Sequence, residues 1–314
     1  MKLITAVEQY VLLKRSLGAK FSTQAVSLMT FCRLTGPIDI GDVQADSVLT
    51  FLAPSGIVTT SYHQKLSTLR GLYRFAINRS YVRSSPLPLI VPKQPAYAKP
   101  YIYSPEELRR LLVAAHALEG RPYDLPPMAF RALILLLYGA GLRISDVLSL
   151  CLDDVDLQQG LLLIRNAKFD KPRIVPIGPA LASTLGFYIE QRPLLSDPAP
   201  ATTALFVTCL GQALTRQAAE RDFRLVRARA NIHRQDGAYL QPRLHDLRHT
   251  FAVHRLLAWY RSGSDVQVLL PKLATYLGHV GIAETQHYLS MTPELLDEAN
   301  RRFERYALPE VVHE

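Results

Sequence analysis

Disulfide frameworks and metal fingers are the first architectures that this chain excludes. Its three cysteines, Cys32, Cys151 and Cys209, are scattered, odd in number and form no CxxC pair. That usage fits a reducing compartment, so a cytoplasmic protein is expected. Long apolar runs are also missing. The most apolar stretch, Ala132 to Leu142, is bounded by Arg131 and Arg143. It falls well short of the roughly 18 to 20 residues that a membrane span needs, so no membrane partner is expected. Glu8 interrupts the apolar N-terminal stretch and no small-residue cleavage site follows, which argues against a signal peptide. Acidic residues are scarce in the first third. Residues 1–100 hold 12 Lys and Arg against 4 Asp and Glu, whereas the remaining residues hold 24 against 23. Most of the formal net charge of +9 therefore sits in one region. Such a region suits a polyanion, because Lys and Arg on phosphates release counterions. A merely soluble basic surface is the rival reading of charge alone.

What is present reads as ordinary globular material, with 48% hydrophobic residues over 314 positions, enough for two domains. Residues 1–85 look helical. Leu12, Leu13 and Leu17 recur at helical spacing, as do Leu66, Leu69, Leu72, Tyr73 and Ala76. Residues 86–103 form a linker, because Pro86, Pro88, Pro92, Pro95 and Pro100 forbid a helix. The second domain, residues 104–314, opens on Ser104-Pro105-Glu106-Glu107, a capping box with proline in the first turn. Helices are predicted from about Pro126 to Tyr138 and from Leu142 to Leu150, separated by Gly139-Ala140-Gly141. Leu161 to Ile164 and Arg173 to Ile177 change to strand character around a polar turn. Helices resume over Thr215–Ala230, His245–Trp259 and Val266–Leu277, and a last amphipathic helix starts at Thr292-Pro293. The expected fold class is mainly α with a small β-sheet.

Five segments place reactive polar residues in apolar surroundings. Arg143 follows a glycine break and opens a helix, where free N–H groups favour an anion. Asp146, three residues on, shares its face and can hold the guanidinium. Lys168, with Lys171 and Arg173 nearby, makes the hairpin tip basic and able to reach a DNA groove. In Leu244-His245-Asp246-Leu247-Arg248-His249, His245 and Arg248 share a helix face, a pair suited to gripping phosphate. His245 and His249 also have metal-ligand spacing, but the glutamate of an HExxH site is absent. No metal and no cofactor are expected. Leu277-Gly278-His279 is the fourth segment, and Tyr288 in Gln286-His287-Tyr288-Leu289 is the fifth.

Taken together, these residues resemble the tyrosine recombinases, or phage integrases. The family order Arg, Lys, His-x-x-Arg, His, Tyr matches Arg143, Lys168, His245, Arg248, His279 and Tyr288, in the surroundings GAGLRISDVLSL, HDLRHTFA and LGH. The likeness is strong over about 104 to 303. The first domain, with its SYHQKLSTLRGLYRFA segment, looks like the family's core-binding domain. There are three departures. The turn around the lysine lacks glycine, so Lys171 competes with Lys168. Asp146 stands where glutamate is common. The stretch from Arg248 to His279 is long, with Ser262-Gly263-Ser264 as the extra loop.

The resemblance implies a C-shaped clamp on double-stranded DNA and a tetramer of this chain on two sites. It implies attack by Tyr288 to give a 3′-phosphotyrosine. Arg143 and Arg248 would grip the non-bridging oxygens, Lys168 would protonate the 5′-oxygen, and His279 would donate to the phosphate. His245 would position or deprotonate Tyr288. Arg216, Arg221 and Arg224, on the Thr215–Ala230 helix, are candidate DNA contacts. Whether the last helix docks in cis or in trans is left open. The alternatives are a type IB topoisomerase, a non-catalytic DNA-binding protein on the same fold, and a hydrolase using His245 and His249 with a metal.

Overall fold

A computed structural model describes the chain except residues 57, 94–98, 120–124, 166–171, 195–201, 239, 280, 291–292 and 308–314, and the side chains of 290, 293 and 302–307. The chain divides into two compact units, Met1–Tyr97 and Ala98–Glu314. As expected, the described residues are mostly helical, with one small sheet.

The first unit packs helices α1 (Leu3–Ser16), α2 (Ser22–Thr35), α3 (Ala45–Leu52) and α4 (Thr60–Asn78) around one core. On α4 the expected face, Leu66, Leu69, Leu72, Tyr73 and Ala76, is buried. On α1 the expected stripe is corrected. Leu12 and Leu17 are exposed, and Leu3, Ala6, Val7, Tyr10 and Val11 are buried instead. Those five follow an i, i+3, i+4, i+7, i+8 spacing, a wider and more continuous apolar face than the residues toward the C-terminus.

The second unit begins with α5 (Pro105–Val113), whose capping box forms as read. Glu107 N donates to Ser104 Oγ at 3.1 Å and Ser104 N donates to Glu107 Oε2 at 2.8 Å. Next, α6 (Pro127–Gly139) is buried nearly all round, which makes it the central element of the core. The chain then turns at Gly141, with φ +59°, into α7 (Ile144–Leu148). That helix is shorter than expected. Arg143 is extended and acts as its N-cap, and beyond Ser149 the backbone leaves the helix so that Leu205 N donates to Leu150 O at 2.8 Å.

Strands β1 (Val155–Asp156), β2 (Leu161–Ile164) and β3 (Arg173–Pro176) form an antiparallel sheet in that order, with Leu161 opposite Pro176 and Ile164 opposite Arg173. Helices α8 (Pro179–Gln191), α9 (Arg216–Arg229), α10 (Leu244–Arg261) and α11 (Val266–Leu277) follow. The chain continues through α12 (Ala283–Gln286), a 3-10 turn at His287–Ser290 and α13 (Pro293–Ala307). Leu295, in the first turn of α13, is buried in its own unit beside Phe251, Leu277 and Tyr288. No helix among the described residues is long and apolar enough to cross a membrane.

Candidate active site

Three backbone segments are tied to one another by two arginines. Arg143 follows the Gly141 turn, and its Nη2 donates to Gly278 O at 2.7 Å. Arg248, on the first turns of α10, donates through Nη1 to Gly141 O and through Nη2 to Leu277 O, both at 2.7 Å. Each guanidinium thus uses part of its fork on main-chain carbonyls at the ends of α6 and α11. Arg248 is only 2% exposed. Burial, and then the Arg143 charge, pull it down to about 10. A guanidinium stays charged there, and two cations held this close favour an anion between them.

Both arginine-bearing helices start in the same way. In α7, Asp146 at the third position accepts from Arg143 N at 3.4 Å. In α10, Asp246 accepts from Arg243 N at 2.8 Å and also from the Arg243 guanidinium. An acidic residue in the first turn complements the helix dipole and the free N–H groups. The expected contact between Asp146 and the Arg143 guanidinium is therefore replaced by one to its backbone. The Asp146 carboxylate is directed instead to Arg173, whose Nη2 lies 2.6 Å from Oδ2.

Arg173 was expected at the DNA surface, but it faces inward. The reason is strand parity. Val175 is fully buried and Ile174 is 63% exposed, so Arg173 shares the inner side with Val175. Two of its N–H groups, Nε and Nη1, are buried with no hydrogen-bond partner among the described residues, and so is Arg143 Nη1. Buried donors are normally satisfied. Three orphaned guanidinium N–H groups suit an anion with several oxygens. Lys168 and Lys171 lie outside the described residues.

The histidines and the tyrosine complete the site. Gly278 ends α11 in the left-handed region, with φ +66°, and His279 N then donates to Ala274 O at 2.9 Å. This turn, the usual glycine exit of a helix, fixes where His279 leaves the chain. Its Nδ1 is 2.7 Å from Thr285 Oγ1, a partner that the sequence did not suggest. Tyr288, on the 3-10 turn, is 3% exposed and its ring lies over His279 with centroids 6.1 Å apart. Its phenol oxygen is 3.1 Å from His249 Nδ1. Burial raises the phenol above the usual tyrosine range, while Arg248 and Arg143 oppose that rise.

His245 is exposed, with its ring edge-on to His249, centroids 4.6 Å apart. Crowding and Arg248 hold His245 below the usual imidazole range, although its exposed edge lets water moderate the effect. His249 is deeper, and burial, then His245 and Arg248, hold it down to about 3. The site therefore gathers Arg143, His245, Arg248, His279 and Tyr288, together with Arg173 and His249, to which sequence reasoning gave other parts. The signal for His249 was its i, i+4 relation to His245, which puts both on one face.

Arg216, Arg221 and Arg224 are exposed on α9, opposite the buried Ala219, Phe223 and Val226. Arg216 pairs with Glu220 at 2.8 Å and Arg221 with Asp222 at 2.9 Å. Arg224 Nε donates to Glu220 O at 3.3 Å. Among the described residues, no group of three or more His, Cys, Asp or Glu could hold a metal ion.

In the first unit, an open groove of about 1110 Å³ carries Lys14, Lys65, Arg70 and Arg74 along α1 and α4, and no acidic residue lines it.

The phage integrase family profile matches residues 103–294. The integrase/recombinase y4rB of Sinorhizobium fredii is 33% identical over 303 residues, covering 96% of each chain. The tyrosine recombinase XerD of Mycobacterium tuberculosis is 32% identical over 246 residues, covering 78% of this chain and 74% of its own. Among solved structures, the Tn1549 transposon integrase in complex with a circular intermediate DNA superposes with TM-score 0.68 at 18% identity, covering 96% of this chain and 99% of its own. A lambda integrase dimer bound to a COC′ core site gives 0.66 at 16%, covering 93% and 97%. By the extent of the profile match and by the likeness over nearly its whole length to y4rB, the chain belongs to the phage integrase family, the tyrosine recombinases.

Proposed function

We propose that this chain is a site-specific DNA recombinase that cuts and rejoins double-stranded DNA through a covalent 3′-phosphotyrosine at Tyr288. The observation that carries the reading is the meeting of Tyr288 with His249 at 3.1 Å and with the ring of His279, beside Arg143 and Arg173, whose buried N–H groups have no partner among the described residues. A scissile phosphate there meets fixed donors on its non-bridging oxygens, which stabilise the charge of a five-coordinate phosphorus. Tyr288 gives its phenol proton to His245 and attacks phosphorus, the bond to the 5′-oxygen breaks, and the leaving oxygen takes a proton from Lys168, or from Lys171 in its place. His279 donates to the phosphate and Thr285 orients its ring. The ester keeps the energy of the broken bond, so a 5′-hydroxyl from another strand can reverse the step.

Both units take part in holding DNA. The basic groove of the first unit and the exposed arginines Arg216, Arg221 and Arg224 of α9 supply phosphate contacts. Four strand exchanges call for four protomers on two sites, so the working form is a homo-tetramer on DNA. Integration, transposition and resolution of a mobile element or chromosome all use this chemistry. The cytoplasm is where such a protein meets its DNA. No observation favours the relaxing topoisomerase.

The test is incubation, in EDTA, with nicked duplexes tiling the flanks of the protein's own gene. A protease-sensitive covalent adduct at a single phosphate is expected, and none with Tyr288→Phe. An adduct that survives Tyr288→Phe, or no adduct on any flank, rules the reading out.

A further inference from the structure

If Tyr288 attacks phosphorus, one buried group beside its oxygen is left without a task. His249 Nδ1 lies 3.1 Å from Tyr288 Oη, whereas the family likeness gives the care of the tyrosine to His245. The direction of the proton in this contact follows from its neighbours. Arg248, next to His249 on α10, can only donate. With Arg248 able only to donate, His249 Nδ1 is the neighbour that can take the phenol O–H. The nitrogen that receives it must be unprotonated. Burial, His245, Arg248, Arg243 and His287 all oppose a charge on this ring, which favours the neutral imidazole. The His245 ring stands edge-on at 4.6 Å and limits how His249 can turn.

We propose that His249 is a positioning residue for strand cleavage. Its Nδ1 accepts the phenol hydrogen bond and aims Tyr288 Oη into the pocket made by Arg143 and Arg248. The proposal rests on the cleavage reading above. An imidazole nitrogen 3.1 Å from the phenol oxygen holds it in place by hydrogen bonding, which is what aiming requires, and the proton itself leaves to His245 during attack. Tyr288 sits on a 3-10 turn only four residues long, so its backbone alone places the oxygen loosely. A misplacement of about 1 Å costs on the order of 100-fold in rate.

The experiment compares wild type, Tyr288→Phe, His249→Asn and His249→Gln on the nicked duplex that forms the adduct. It reads single-turnover adduct rate, DNA affinity and thermal midpoint. Asparagine puts an acceptor oxygen where Nδ1 was, whereas glutamine moves it outward while keeping a polar side chain. His249→Asn is expected within about 10-fold of wild type and His249→Gln about 100-fold slower, with DNA affinity and thermal midpoint alike in both. Equal rates in the two variants overturn the proposal. An adduct in Tyr288→Phe instead overturns the cleavage reading itself.

A DNA-free readout keeps the two apart. With tyrosine labelled at its ζ carbon, the resonance missing in Tyr288→Phe identifies Tyr288. That resonance should move in His249→Gln and stay close to its place in His249→Asn. A resonance unmoved in His249→Gln overturns the proposal whatever the DNA result.

Discussion

Asp146 and Arg173, 27 residues apart in sequence, meet in a 2.6 Å ion pair that ties β3 to the first turn of α7. The aspartate is only 2% exposed. This one contact couples the strand that leads from the lysine turn to the segment that carries Arg143.

Asp146→Ala leaves Arg173 as an uncompensated, mostly buried charge. Breaking such a pair costs about 3–5 kcal/mol. Adding Arg173→Met should restore part of that loss, because the charge goes with its partner. Urea denaturation of the two single variants and the double variant checks this. Additive losses would mean that the pair does not act as a unit.

Arg248→Lys keeps a charge but loses the fork. An ammonium cannot reach Gly141 O, Leu277 O and a phosphate together, so a buried carbonyl is orphaned. The expected loss is about 1–3 kcal/mol of stability and at least 100-fold in adduct rate. Denaturation and single-turnover cleavage measure the two effects separately.

Gly141→Ala should be the most damaging small change in the site. The residue has φ +59°, and an added Cβ would lie 2.4 Å from Phe251 Cδ1 and 3.0 Å from Leu277 Cδ2. Left-handed strain contributes about 1–2 kcal/mol and the clash with the ring adds to it. A fall of many degrees in thermal midpoint is expected. Gly237→Ala, also at positive φ but with nothing within 4 Å, serves as the control and should lose only the strain.

Acid should weaken the fold through His249. Its imidazole takes a proton readily only when unfolded, so the unfolded state binds more protons between the usual 6.5 and about 3. Stability is therefore full above about pH 6.5 and falls as acid is added through that window. Going from about pH 7.5 to 5 should cost about 2 kcal/mol from this residue, at about 1.4 kcal/mol per unit below 6.5. Urea midpoints at the two pH values should differ more in wild type than in His249→Asn.

Arg70 and Arg74 are exposed in the groove of the first unit. If they contact phosphates, Arg70→Ala with Arg74→Ala lowers the slope of log affinity against log salt by about 2. Thermal stability should be unchanged. Binding measured from low to moderate salt gives the slope directly.

Much of this was legible in the sequence because it is local. The capping box at Ser104, the hairpin strands and α11 lie where periodicity and punctuation put them. The phase of α1 was not legible. Apolar residues line both of its sides, and only the packed partners decide which side is inner. Strand β1 has two residues, too few to show a period. In the site, Arg143, His245, Arg248, His279 and Tyr288 could be read as a set, but their contacts could not. That Asp146 serves Arg173 depends on the alternation of Val175 and Ile174 against a core that no local pattern describes. The partnership of His249 with Tyr288 spans 39 residues and needed the fold to bring two distant turns together.

The order of these parts along the chain also has a temporal meaning. The groove of Lys14, Lys65, Arg70 and Arg74 belongs to the first 97 residues, whereas the proposed nucleophile is position 288. During synthesis, then, a basic surface emerges from the ribosome well before the proposed nucleophile, and on that reading a nascent or prematurely stopped chain would be a harmless binder.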